Sequence, residues 1–360
     1  MNNLQNLHTQ FNQSPWLDNL SRELLQNGRL QQYIHEGIRG LTSNPTILEN
    51  AIIHSDLYDD QIRWFAGEGK STEEIYWSIV EQDIKAAAAL LLPVWEKSNG
   101  VDGYVSLEVS PTLAEETQAT IDQARRLWRE VNVPNLMIKV PATDQGIIAA
   151  NTLLAEGINV NITLIFSLDH YRRVIDAHTK AHPLGTANTA RSVASFFISR
   201  VDSEVDARLE AIGTPQALEL RGKAAVAQAR IAYGVFLDTF APLAIIDGES
   251  PSIQRLLWAS TSTKNPEYND LLYVSDLIAP QTINTLPEDT IARIIDHLPV
   301  DSTANTLLDI QEATRTIQAI EQVGVNLDDV AQTLEGQGVK KFQDSFASLL
   351  QSIDAKTKRN

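Results

Sequence analysis

Cysteine is absent from the 360 residues. That excludes disulfides, thiolate zinc sites, iron–sulfur clusters and a cysteine nucleophile. Long apolar runs are missing too, since none approaches the ~20 residues that a membrane helix needs. The opening stretch, 1–14, lacks the basic start and apolar centre of a secretory signal, so a cytoplasmic location is expected. Basic clusters are likewise missing, and the net charge is −17. A chain this acidic repels nucleic acid and anionic lipid, and neither nucleic acid nor membrane is an expected partner. An anionic substrate would have to be met by a few well-placed cations. The seven histidines are scattered. His178 and His182 are spaced i, i+4, but Thr179 stands where the zinc-protease pattern needs Glu. The pair reads as a solvated helix face, and no metal is expected.

What is present is a rhythm of short apolar strands and amphipathic helices. Tyr104–Val109, Leu136–Val140, Asn159–Ile165, Val193–Ile198 and Leu256–Ser260 read as strands. Thr112–Glu130, Gln145–Ala155, Ser167–Ala181 and Lys223–Phe240 read as helices. Strand followed by helix, repeated, argues for parallel strands with helical crossovers. Ser110-Pro111 and Asn44-Pro45 look like capped helix starts with Pro at the first position. Ser71 and Glu74 form a capping-box pattern ahead of a helix expected to end near Leu92. The expected fold class is α/β, a (β/α)8 TIM barrel with additional helices. One barrel domain is expected over 1–360, with a C-terminal helical extension over 301–355 packed on its exterior and a frayed tail at 356–360.

Side chains alternate faces along a strand. Val105, Leu107 and Val109 share one face of the first strand, opposite Tyr104, Ser106 and Glu108. In the next, Leu136, Ile138 and Val140 lie opposite Met137 and Lys139. Val160, Ile162 and Leu164 then lie opposite Asn161 and Thr163, and Ala194, Phe196 and Ile198 opposite Ser195 and Phe197. One face is thus apolar and suits a cover of helices, while the other turns polar toward the strand's C-terminal end. In a barrel that face points inward, and those ends form the active-site mouth. Glu108, Lys139, Asn161, Thr163 and Ser195 are therefore expected in one pocket. A lysine within Leu136–Val140 is costly to keep charged, and an imine-forming lysine must be neutral to attack a carbonyl. The same lysine also suits a simple ion pair with Glu108, and Glu108 in turn suits acid/base work through water. Asn161 and Thr163 suit either the hydroxyls of a polyol or internal barrel bonds. Asn44 suits a helix cap whose amide NH2 stays free, and Asp18 also precedes a helical run.

These residues lie within longer stretches that resemble the transaldolases. The stretches are Gly40-Leu-Thr-Ser-Asn-Pro-Thr46, Val105-Ser-Leu-Glu-Val-Ser-Pro111, Met137-Ile-Lys-Val-Pro-Ala-Thr143, Val160-Asn-Ile-Thr-Leu-Ile-Phe-Ser167, Val193-Ala-Ser-Phe-Phe-Ile-Ser-Arg-Val-Asp202 and Trp258-Ala-Ser-Thr-Ser-Thr-Lys-Asn-Pro266. Their order and spacing match from about Trp16 to Phe346, most closely in the longer bacterial form. The resemblance implies a cofactor-free transferase that carries a dihydroxyacetone unit from sedoheptulose 7-phosphate or fructose 6-phosphate to an aldose phosphate. It implies a Schiff base on Lys139, with Asp18 taking the proton of the C4 hydroxyl. Glu108 with Thr163 would hold a proton-relaying water. Asn44, Asn161 and Ser195 would bind donor hydroxyls, Phe197 would form the pocket wall, and Arg200 and Lys264 would bind phosphate. Ser262 stands where close relatives are expected to carry Gly, which bears on the loop that holds Lys264. Sugar phosphates are the expected partners, and a monomer or homodimer the expected assembly.

Three other readings remain, one of them a metal aldolase, which would be sensitive to EDTA and which no clustered histidines support. A fructose-6-phosphate-type aldolase would release dihydroxyacetone to water; such relatives are shorter and often use Tyr as the acid/base, so Glu108 favours transfer. A silent sugar-phosphate binder would have no use for Lys139, Glu108 and Asp18 together.

Overall fold

The computed structural model describes residues 2–182, 189–240, 253–299 and 309–358. Eight strands close into one barrel in chain order: β1 (Ser14–Leu17), β2 (Leu41–Thr42), β3 (Val105–Glu108), β4 (Leu136–Pro141), β5 (Val160–Ile165), β6 (Ser192–Phe197), β7 (Gln254–Ala259) and β8 (Ile283–Leu286). Every pairing is parallel, and β8 returns to β1. The expected barrel is therefore present, and its five sequence-read strands stand within two residues of their expected ends.

β1, β2 and β8 were not evident in the sequence. β2 has 2 residues and the other two have 4, too few for an alternation to register. β1 also contains Pro15, a residue that argues against a strand. Inside the N-terminal end of the barrel, the Asp102 carboxylate accepts from Ser14, Arg39 and Arg255 at 2.7–3.0 Å. Burial raises its pKa, but the two arginines outweigh that and hold it below the ordinary value. This network occupies the barrel floor beside a cavity of about 150 Å³ at that end, whose lining includes Ser14, Asp102 and Arg255.

Helix starts follow the expected chemistry in two cases. Asn44 caps the helix Pro45–Ile53, and Ser71 with Glu74 makes the reciprocal box. That second helix, Thr72–Lys97, runs through Pro93 rather than ending near Leu92. Ser110 departs from expectation: Pro111–Leu113 is a 3-10 turn without a side-chain cap, and the following helix begins at Thr117. His178 is not on a solvated face; it is buried, stacked on His182 at 4.3 Å and edge-on to Phe240 at 5.7 Å.

β5 breaks its own alternation. The register shifts between Ile162 and Ile165, and Leu164 adopts φ +63°. Leu164 therefore leaves the outer apolar face expected for it and lies against Gly338, where a Cβ would come within 3.0 Å of Leu164 Cδ2. Gly338 belongs to the final helix, Leu327–Thr357. This helix does not merely cover the exterior. It crosses the C-terminal mouth, with Ser345 Oγ 2.9 Å from Thr46 Oγ1 and the Phe346 ring 5.2 Å from Tyr76. Nor does it fray at Lys356, which is buried, donates to the Ser55 carbonyl at 2.9 Å and pairs with Asp59. Within the expected extension, 301–308 lie outside the described residues, as do 359–360 of the expected tail. Among the described residues no helix is long and apolar enough to cross a membrane.

Candidate active site

Parallel register sets the first layer. Glu108 pairs with Lys139, and Lys139 with Asn161, so the three inward side chains stand side by side on β3, β4 and β5. Above them a cavity of about 180 Å³ opens under the final helix. Asp18, Asn44, Lys139, Thr163, Ser195, Phe197, Arg200 and Lys264 all line it, so the structure brings together eight of the ten expected site residues. Glu108 and Asn161 do not line it and stand behind Lys139 and Ser195.

Lys139 is buried, with 5% of its surface exposed. Its Nζ lies 3.1 Å from Glu108 Oε2 and donates to the carbonyl oxygen of Ser43 at 3.2 Å. The Phe342 ring, from the final helix, closes the other side with its centroid 5.9 Å from the nitrogen. Burial pushes the Glu108 carboxyl above its ordinary range, and Lys139 pulls it part of the way back. Asp18 is half-buried just beyond the end of β1. Burial raises its carboxyl too, opposed by Lys139, the Thr42 hydroxyl, Arg200 and Lys264. Thr42 Oγ1 donates to Asp18 Oδ1 at 2.8 Å and lies 2.6 Å from Thr285 Oγ1, which fixes the carboxylate's direction. Two carboxyls of raised pKa thus flank one amine, an arrangement suited to moving protons above the ordinary carboxylate range. Among the described residues, neither Glu108 Oε2 nor the buried Thr163 Oγ1 has a hydrogen-bond partner of good geometry. The Thr163 hydroxyl, which faces the cavity, suits a small polar species there.

The hydroxyl-binding candidates divide. Asn44 Oδ1 accepts from the Ile47 amide at 3.0 Å, so its cap role and its place on the cavity wall coexist, with Nδ2 left over for a ligand. Asn161 is committed on both ends. It accepts from Ser195 Oγ at 2.7 Å and donates to Ser106 Oγ at 3.0 Å.

Three cations gather at the outer end of the cavity. Arg200 sits in the first turn of the helix Ser199–Ile212, stacked over Phe197 at 5.3 Å. Among the described residues it has no ion pair, because its neighbours are engaged elsewhere. Asp202 accepts from the Ala225 amide and the Tyr273 hydroxyl, and Glu204 pairs with Arg208. Burial lowers the Arg200 pKa. Lys264 donates to Ser262 Oγ at 2.6 Å, and its pKa is lowered by burial and then by the nearby charges of Arg200 and Lys341. Lys341, from the final helix, completes the group. In a chain of net charge −17, such a cluster is an anion site.

Thr42, Ser43, Thr285, Lys341 and Phe342 escaped the sequence reading. Thr42 and Ser43 fall inside the Gly40–Thr46 stretch, so that motif carried a signal. Nothing local marks Lys341 or Phe342, whose relevance comes from where the helix docks. A larger open groove, about 760 Å³, runs between the helices Thr72–Lys97 and Thr117–Val131, but it is lined by residues of those helices and the turn before them and includes no inward barrel residue. Among the described residues no group of three or more His, Asp or Glu is placed to hold a metal ion.

The model of the family described as Transaldolase/Fructose-6-phosphate aldolase matches residues 15–353. Among curated proteins, one named Transaldolase from Thermobifida fusca is 47% identical over 347 residues, covering 94% of each chain. Another of that name, from Thiobacillus denitrificans, is 46% identical over 354 residues, covering 96% of this chain and 98% of its own. A third, from Mycobacterium tuberculosis, is 45% identical over 353 residues, covering 95% and 94%.

Proposed function

The chain belongs to the transaldolase/fructose-6-phosphate aldolase family, and from that premise we infer that it is a transaldolase. It moves a dihydroxyacetone unit from fructose 6-phosphate or sedoheptulose 7-phosphate to glyceraldehyde 3-phosphate or erythrose 4-phosphate, as a step of the non-oxidative pentose phosphate pathway. It does so in the cytoplasm as a monomer or homodimer, through a Schiff base and without a metal.

Lys139 attacks the donor's C2 carbonyl. To do so the amine gives up a proton, and Glu108, 3.1 Å away, receives it. The carbinolamine then loses its oxygen as water, and Glu108 returns the proton that this departure needs. Thr163 holds that water, a role supported by its buried hydroxyl, which lines the cavity beside Lys139 and has no hydrogen-bond partner among the described residues. Asp18 next takes the proton from the C4 hydroxyl. The C3–C4 bond breaks, its electron pair passes into the iminium to make an enamine, and C4 leaves as the aldehyde of an aldose phosphate. The acceptor aldehyde enters the emptied space, the enamine carbon attacks it, and Asp18 returns its proton to the new hydroxyl. Hydrolysis through Glu108 frees Lys139. Asn44 and Ser195 bind donor hydroxyls, Asn161 directs Ser195, and Arg200 with Lys264 binds the phosphate of each sugar in turn.

The observation that carries this reading is the buried Lys139–Glu108 pair opening onto a cavity whose far end is cationic. Borohydride reduction in the presence of fructose 6-phosphate tests it. A three-carbon adduct should appear on Lys139 and be missing from Lys139→Ala; an unmodified lysine in the wild type would overturn the imine. Adding an acceptor aldose phosphate should raise donor turnover steeply. If turnover is equal without acceptor, the enamine is being protonated by water and the enzyme is an aldolase.

A further inference from the structure

The final helix presents Gly338, Lys341, Phe342 and Ser345 on one face, at the spacing i, i+3, i+4 and i+7. That face meets the barrel mouth along its length. Gly338 lies against Leu164, and a Cβ there would stand only 3.8 Å from Arg200 Nη1. Phe342 covers Lys139, and Ser345 reaches Thr46. Lys341 lies about 4.5 Å along the axis from Gly338; though exposed, it lines the same cavity as Arg200.

We propose that Lys341 is a substrate-binding residue: a third cation, delivered by the final helix, that holds the sugar phosphate together with Arg200 and Lys264. This rests on the transaldolase reading and extends it to a part of the chain outside the barrel strands. Two contrasts support it. The adjacent Lys340 is committed to an i, i+4 pair with Asp344 and does not line the cavity. Lys341 has no ion pair among the described residues and lines the cavity instead. The charges of Arg200 and Lys341 also both bear on Lys264, as expected of three ammonium and guanidinium groups converging on one spot. A phosphate near its dianionic form relieves that mutual repulsion, and a lysine contributes as a point charge where a single arginine fork leaves an oxygen unmatched. Because one cavity serves donor and acceptor in turn, Lys341 acts on the phosphates of both.

Lys341→Ala should raise KM for fructose 6-phosphate and for the acceptor aldose phosphate about tenfold, with kcat within about twofold, as expected for loss of one charge contact felt equally by ground and transition states. With fructose as a phosphate-free donor, kcat/KM should stay within about twofold, and Lys341→Arg should restore most of the affinity for the phosphorylated donor. Lys340→Ala, which changes the neighbouring charge on the same helix, should leave KM unaltered. Calorimetric binding of inorganic phosphate should weaken about tenfold in Lys341→Ala, a readout that does not depend on turnover. A shift under about twofold in both KM and phosphate binding, or an equal loss with fructose, would overturn the assignment. Failure of the Schiff-base reading would show separately, as a wild-type enzyme that borohydride leaves unmodified.

Discussion

Glu108 and Lys139 are register partners on adjacent strands, with 3.1 Å between Oε2 and Nζ and both side chains withdrawn from solvent. A carboxylate held this way acts on the amine at each protonation step of imine formation and hydrolysis. Glu108→Gln keeps the shape and removes the proton acceptor. It should lower kcat/KM by about 10²–10⁴ and slow the appearance of the borohydride-trapped adduct, while KM for phosphate binding changes little. In the wild type, burial holds both Glu108 and Asp18 above their ordinary values of 4.5 and 3.8. Both must be ionised to accept protons. Activity should therefore fall as pH drops through a range above those values rather than at them. Retention of near-normal turnover by Glu108→Gln would remove Glu108 from the relay.

The contact between Lys264 Nζ and Ser262 Oγ, at 2.6 Å, gives Ser262 a function of its own where close relatives are expected to carry glycine. The hydroxyl anchors a lysine that otherwise has several rotatable bonds to immobilise on each binding event. Ser262→Gly removes the anchor and loosens the loop. KM for phosphorylated substrates should rise by about two- to fivefold with kcat unchanged. Steady-state kinetics on donor and acceptor checks this, and an unchanged or lower KM would mean that the anchor restrains Lys264 away from the phosphate.

Much of this site was legible in the strand alternation. Glu108, Lys139, Asn161, Thr163 and Ser195 share the inward side because the period-two pattern leaves them no other face. The alternation could not separate Asn161, committed behind Ser195, from Thr163, open to the cavity two residues on, since depth along a barrel axis is not encoded in which face a residue takes. It failed at Leu164, where a bulge with φ +63° turns the side chain toward the final helix. His178 misled for a related reason: i, i+4 spacing defines a helix face but not whether Phe240 covers it. Lys341 and Phe342 were invisible because an amphipathic helix reads the same whether it docks on a barrel's flank or across its mouth.

Asp202 and Tyr273 tie the two phosphate-binding segments together, and their bond ought to leave a mark on stability. Tyr273 Oη donates to Asp202 Oδ2 at 2.7 Å, and Tyr268 makes the same 2.7 Å bond to Asp206 one turn later on the helix that carries Arg200. Both tyrosines follow Lys264 in the segment between β7 and β8, Tyr273 within the short helix Leu272–Ser275, so the pair bears on where Lys264 stands relative to Arg200. Gly222 permits it, since a Cβ there would come within 2.8 Å of the Tyr268 ring. Burial pushes the Asp202 carboxyl up to about 6, restrained by the Ala225 amide and the Tyr273 hydroxyl, against an ordinary value of 3.8. A carboxyl raised on folding contributes fully below the unfolded value and loses that contribution as pH rises through the folded one. Asp202 should therefore cost the native state about 2 kcal/mol between pH 4 and pH 7. Asp202→Asn keeps an acceptor for Ala225 and cannot ionise. Relative to the wild type, its unfolding free energy should rise by a similar amount across that interval, read from urea denaturation at pH 4, 5, 6 and 7. A difference that stays flat with pH would mean that Asp202 ionises in the native state as easily as in water, and that its hydrogen bonds, not its burial, set its charge.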